Sequence, residues 1–149
     1  MSGQYEGSLE LGAVALDGAG NTDSFVTKLS STGEPVWARS FGDAEFQQTA
    51  RIAVDKAGDV LVAARGDGTF ALGGACSTPP DAGAGIWTFK LRASDGECMW
   101  LVKHPAGWSN NAIGFAYDRD RDVAYVGAET IGDPYFSSVP GRYEAFVYA

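Results

Sequence analysis

The chain has 149 residues, 45% hydrophobic and 20% charged, the composition of one globular domain with a core and not of a disordered segment. Its formal net charge is −8 and lysine and arginine nowhere form a run, so nucleic acid and anionic membrane surfaces are poorly matched partners. No apolar stretch approaches the ~20 residues of a membrane span, and residues 1–7 (MSGQYEG) carry neither the basic nor the apolar region of a signal peptide.

In chain order, residues 9–11 form a short alternating segment ending at Gly12, and residues 17–22 (DGAGNT) are turn chemistry. Residues 25–29 are strand-like, 30–33 (SSTG) turn, and 36–41 form the next strand. A loop over 42–49 precedes residues 50–55 (ARIAVD), which alternate and meet the hairpin turn KAGD at 56–59. Residues 60–64 (VLVAA) are apolar throughout, as in a strand covered on both faces. A long Gly/Pro/Ser-rich connection over 66–85 is expected to hold one short strand at 69–72. The order then recurs: strands at 86–91 and 98–103, a loop over 104–111, strands at 113–118 and 123–128, a loop over 129–144, and a further strand from 145. No segment shows helical spacing of apolar residues over ten or more positions, so the chain reads as all-β with antiparallel meanders.

That recurrence is the strongest signal in the sequence. Lys28 and Lys90 lie 62 positions apart, as do Leu29 and Leu91; Gly33 and Gly96, Trp37 and Trp100, Asp55 and Asp118, and Val60 and Val123 lie 63 apart. Each unit supplies an inner strand (ARIAVD, IGFAYD), a second (VLVAA, VAYVGA), a third (FVTKL, WTFKL) and an outer one (VWARSF, MWLVKH). A period of this length with several short strands is how a propeller blade reads. The expected organisation is a β-propeller segment of about two four-stranded antiparallel blades, not closed within the chain. It comprises a partial blade at 8–42, a complete one at 50–104 and an incomplete one at 112–149. The complete blade predicts a sheet in the order ARIAVD, VLVAA, WTFKL, MWLVKH. The exposed edges of such a segment predict self-association or further blades.

The elements D-x-F-V-x-K-L at 23–29, G-x-x-x-W-x-x-x-F-G at 33–42 and A-V-D-x-x-G-D-V-L-V at 53–62 resemble the bacterial β-propeller repeat of the SBBP type. The second unit departs from it: Ile86-Trp87-Thr88 stands for Ser24-Phe25-Val26, and Asp120-Arg121 for Ala57-Gly58. The resemblance implies propeller blades in a large exported or surface protein, with no shared catalytic residues to carry over. The expected role is a non-catalytic scaffold or interaction module of a longer bacterial parent. The rival roles are a piece of a carbohydrate-active propeller enzyme and a calcium-dependent adhesion module.

Individual residues add little chemistry. Asp118, Asp120 and Asp122 alternate as calcium ligands do, but the segment lacks the following Gly and distal Glu of an EF-hand and aligns with the 55–59 turn. Asp55 and Asp118 share one repeat position, whereas an acid and a base need different surroundings, so a structural role is expected. His104 has no nucleophile motif near it and reads as a polar surface residue at the start of a loop. Cys76 and Cys98 form no CxxC pair and have no clustered histidine; a disulfide and two separate buried thiols both fit. No cofactor is implied. Trp37 and Trp100 read as core or inter-blade packing. A protein or carbohydrate ligand is expected on the long loops, with Phe46, Trp108, Asn110, Asn111 and Tyr135 as candidate contacts.

Overall fold

Among the described residues, twelve strands and no helix build four antiparallel sheets. The computed structural model describes residues 1–70, 72–73, 76–78, 83–104, 109–131 and 143–148, with side chains described at all of these except 49–50, 109–113, 128–131 and 143–148. The strands are β1 (Ser2–Tyr5), β2 (Ser8–Leu11), β3 (Val14–Asp17), β4 (Asp23–Leu29), β5 (Pro35–Phe41), β6 (Gln47–Val54), β7 (Val60–Gly66), β8 (Gly85–Leu91), β9 (Cys98–His104), β10 (Ser109–Asp118), β11 (Val123–Ile131) and β12 (Tyr143–Tyr148).

The central sheet has the order β6-β7-β8-β9, the four-strand unit expected over residues 50–103. Its period-two alternation sorts side chains onto two faces. Val60, Val62, Ala64, Trp87, Phe89 and Leu91 share one core with Val26, Trp37 and Phe41 of the first sheet, whose order is β1-β4-β5. The third sheet, β10-β11-β12, lies against the opposite face. Val60–Ala64 is buried at every position because a neighbouring sheet covers each face. A β2-β3 hairpin packs Leu9, Leu11, Val14 and Leu16 against Tyr5, Phe25 and Ala38.

Several boundaries differ from the sequence reading. β1 pairs with β4, so Ser2–Tyr5 takes the place that β7 holds beside β8, although SGQY has no strand pattern. The first sheet thus reaches upstream of residue 8, and residues 9–11, expected as a lone short segment, pair with a second strand at Val14–Asp17. β6 begins at Gln47 because the Gln47 amide is fully buried and bonded: its Nε2 donates to Asp43 Oδ1 at 2.7 Å and to the Asp67 carbonyl at 3.0 Å. The connection after Gly66 contains no named strand among its described residues. It instead drives Phe70 into the core, stacked 5.6 Å from Phe41 and tilted 5.1 Å from Trp87, ring centre to ring centre. Gly66 makes room for that ring, since a Cβ there would stand 2.0 Å from it. Cys76 and Cys98 are joined by a disulfide, Cα to Cα 5.9 Å, which ties this connection to the first residue of β9.

The 63-residue offset between Val60 and Val123 also fails by one residue. Val54 pairs with Val60, whereas Tyr117, its repeat equivalent, pairs with Ala124. The turn from Arg119 to Asp122 has no glycine, and it is Asp122 that takes positive φ, 58°, where Gly58 takes 86° in the central sheet. Five residues separate Val54 from its partner and six separate Tyr117 from its own, so one extra residue in the connection shifts every later side chain on β11 by one place relative to the repeat.

A candidate interaction cleft between two sheets

The charged repeat positions hold turns. Lys90 Nζ lies 2.6 Å from Asp55 Oδ2 and 3.2 Å from Asp59 Oδ2. The Asp59 amide donates to Asp55 Oδ1 at 2.9 Å, and the Ala93 amide to Asp59 Oδ1 at 2.9 Å. One ammonium and two buried carboxylates therefore lock the β6–β7 turn to the β8–β9 turn. Burial pushes the Asp55 carboxyl up, but the Lys90 ammonium and the amides of Asp59 and Ala57 outweigh it, and the carboxyl settles below its ordinary value. The hydrogen bond from Lys90 to Asp55, opposed by partial burial, holds the Lys90 ammonium above its usual range.

Asp118, the repeat equivalent of Asp55, does similar work in a more exposed turn. Its Oδ1 accepts from the amides of Asp120 at 2.9 Å and Arg121 at 3.1 Å, and its Oδ2 pairs with Arg121 Nη1 at 2.9 Å. Asp122 accepts from the Tyr117 hydroxyl. Among the described residues, no group of three or more His, Cys, Asp or Glu side chains is placed to hold a metal ion. Residues 17–23 form a comparable turn, where the buried Asp23 carboxylate accepts from the Ala19 amide at 2.8 Å.

Besides their shared core, the first and central sheets meet at the β8–β9 hairpin turn. The Ala93 carbonyl accepts from Lys28 Nζ at 2.8 Å and from Trp37 Nε1 at 3.1 Å, and the Asp95 carbonyl accepts from Arg39 Nη2 at 2.7 Å. The Trp37 ring lies flat against Gly96, so close that a Cβ on Gly96 would stand 2.6 Å from it. Gly96 also has φ of 73°, which an L side chain rarely adopts.

On the other side of the central sheet a cavity of about 310 Å³ opens toward the third sheet. Leu61, Thr88, Lys90, Trp100 and Val102 form one wall; Phe115, Tyr117, Asp122, Ala124 and Val126 form the other. Asp55 lies at its rim beside the turn. Trp100 occupies the repeat position of Trp37, yet it is 37% exposed where Trp37 is 6% exposed. His104 ends β9 on this face and is buried, contrary to the surface position expected; its Nε2 lies 2.9 Å from Thr88 Oγ1, and burial lowers its pKa.

This cleft sits beside the 55–59 turn, away from the long loops where a ligand was expected. Of the expected contacts, Phe46 is partly buried beneath the Arg65 guanidinium, 5.7 Å from its ring centre, with its carbonyl accepting from the Asp67 amide. Asn110 and Asn111 lie on β10, paired with Thr130 and Glu129, and not on a loop. Trp108 and Tyr135 lie outside the described residues. No helix among the described residues is long and apolar enough to cross a membrane. No protein-family model matches the chain, and no curated protein matches it.

Proposed function

We propose that the chain is a non-catalytic β-propeller repeat module of the SBBP type, acting as a scaffold or interaction surface within a larger exported or surface protein of a bacterium. The observation that carries this reading is the use made of its charged repeat positions. Lys28, Arg39, Asp55, Asp59 and Lys90 all bind turns of this chain, and Asp55 and Asp118 serve parallel turn-holding roles in successive sheets. An acid and base poised for hydrolysis would instead need contrasting environments. The stacking of a four-stranded sheet between two others supports the blade reading. The Cys76–Cys98 bond supports an oxidising compartment, since disulfides are rare where thiols are kept reduced.

The scaffold reading expects no turnover of a panel of aryl glycosides above buffer, and the same melting temperature in calcium as in chelator. Glycoside hydrolysis that disappears in Asp55→Asn would overturn it. A melting temperature that rises with calcium would move the reading to a calcium-dependent module, because a ligand bound only by the folded state must stabilise it.

A further inference from the structure

Where the first and central sheets meet, cations cross from one to the other: Lys28 Nζ and Arg39 Nη2 bond carbonyls of the 93–95 turn. On the cleft side the repeat equivalents do not cross. Lys90 stands for Lys28, and its ammonium is held by Asp55 and Asp59 of its own sheet. Val102 stands for Arg39 and carries no charge. The gap left has the volume of a small ligand pocket, about 310 Å³, with Leu61, Val62 and Val126 as a buried apolar floor.

Three rings line this cleft without a cation, and two carboxylates reach it. Elsewhere the chain sets Arg65 5.7 Å from the centre of the Phe46 ring and Lys103 Nζ 5.4 Å from that of Trp87. Trp100, Phe115 and Tyr117 have no such partner among the described residues. Trp100 is exposed, and no described group accepts a hydrogen bond from its Nε1. Asp55 comes from one wall and Asp122 from the other. They act on one point, the Tyr117 hydroxyl: its pKa is raised first by its bond to Asp122, and the negative charges of Asp122 and Asp55 raise it further. Lys90 neutralises Asp55. Asp122 has no cation of its own among the described residues: Arg121 pairs with Asp118 at 2.9 Å, and Lys56 Nζ lies 3.4 Å from the Asp120 carbonyl.

We propose that the cleft binds an organic cation, an ammonium or guanidinium carried on an apolar stem. The stem lies along the apolar floor beside Trp100, and the charged head sits toward Asp122 and Tyr117. A cation over an indole face is attracted by the ring quadrupole. Taking a cation from water into a cleft is costly unless it is paired, and Asp122 supplies the pair. An anion would meet two carboxylates. A neutral ligand gains the ring and floor contacts alone. The net charge of −8 draws cations toward the chain before they dock. The volume admits one side chain or one small amine, so the head group belongs either to a free amine or to a lysine or arginine of a partner polypeptide. This rests on the interaction-surface reading and names the chemistry that the surface takes.

The test is isothermal titration calorimetry on the whole chain at about pH 7, where alkyl amines are charged. The probes are phenethylamine, its neutral counterpart phenethyl alcohol and the anion phenylpropionate, each from about 0.05 to about 20 mM. A peptide with a single arginine between capped glycines, and the same peptide with citrulline, form the second pair. Phenethylamine or the arginine peptide should bind with a dissociation constant of about 1 mM or below, at least about tenfold tighter than its neutral counterpart. Tighter binding of the peptide assigns the head group to a partner's side chain, and tighter binding of the amine assigns it to a free ligand. Asp122→Asn removes the charge but keeps an acceptor for Tyr117 and tolerates the φ of 58°. It and Trp100→Ala should each weaken cation binding at least about fivefold. Glu45→Gln, at an exposed carboxylate away from the cleft, should bind as the wild type does. Circular dichroism and urea midpoints close to the wild type's establish that the variants fold.

Cations that fail to bind up to about 20 mM would overturn the proposal. So would a neutral probe that binds as tightly as its cation, or an Asp122→Asn chain that binds like the wild type. A Glu45→Gln chain that loses as much as Asp122→Asn would reduce the effect to general charge attraction and overturn it as well. Binding of a neutral disaccharide in place of the cations would overturn it in favour of a sugar site. Glycoside turnover would fail the scaffold reading while leaving the calorimetry intact, so the two failures are distinguishable.

Discussion

Lys90 is the residue on which the central sheet's turns depend. Its ammonium neutralises Asp55 and Asp59, which are otherwise held only by amides. Lys90→Met would leave two buried carboxylates without a cation, and such losses cost roughly 2–4 kcal/mol. The urea midpoint should fall accordingly. The pH dependence has two edges. Because the Asp55 pKa is lowered in the fold, its contribution is present above the unfolded carboxyl value of about 3.9 and is lost as pH falls through its lower folded value. Because the Lys90 pKa is raised, its contribution is present below about 10.4 and is lost as pH rises through its higher folded value. Urea midpoints across pH should show a plateau bounded by both edges, and Lys90→Met should flatten both. His104 adds a separate step. Burial lowers its pKa, so its contribution is present above about 6.5 and declines as pH falls from there toward the folded value. His104→Gln should remove that step while leaving the acid edge of Asp55 in place.

At the scale of elements, the connection between β7 and β8 acts as part of the core. Phe70 is fully buried, within ring contact of Phe41, Trp87 and Phe89. Phe70→Ala should cost about 3–5 kcal/mol by the removal of a buried aromatic ring and the cavity left behind. Gly66→Ala should destabilise for the opposite reason, overpacking, because its new methyl would overlap that ring. The disulfide anchors the same connection. Cys76 and Cys98 are 22 positions apart and both are buried. Opening a bridge of this kind costs roughly 2–4 kcal/mol, so melting in reductant should occur at a lower temperature than in its absence. The paired replacement Cys76→Ala with Cys98→Ala should melt low in both conditions; a reductant effect that persists in it would remove the bridge from the explanation.

At the scale of the whole molecule, the chain is a series of sheets stacked face to face, and the first offers the Trp37 indole to the 93–96 turn of the second. Trp37→Ala should unfold the chain more readily than Trp100→Ala, because the first removes a buried ring and a partly buried hydrogen bond and the second an exposed ring. Salt should act on assembly. Two copies that each carry a net charge of −8 repel, so raising salt from about 20 mM to about 500 mM should strengthen the self-association expected from the sequence through screening. Association weakened by salt would instead point to a contact held by opposite charges.

The strand sequence of the central sheet was legible because one- and two-residue periods survive without any partner: Val60–Ala64 is apolar on both faces, and Trp87, Phe89 and Leu91 alternate with Ile86, Thr88 and Lys90. The repeat likewise identified Trp37, Lys90, Asp55 and Gly96 as equivalent to Trp100, Lys28, Asp118 and Gly33. What it could not tell was which member of each pair is satisfied. That depends on a neighbouring sheet: the 93–96 turn buries Trp37, and nothing described does the same for Trp100. Phe70, Gln47 and Ser2–Tyr5 were missed because their burial or pairing comes from residues distant in the chain, with no local periodicity to announce it. The amino-acid sequence by itself determined an all-β chain, its repeating unit and the strand order of its middle sheet. Only the tertiary structure decided the Cys76–Cys98 bond, the one-residue slip before β11 and the cleft at Trp100, since each arises where two separate segments must fit the same space.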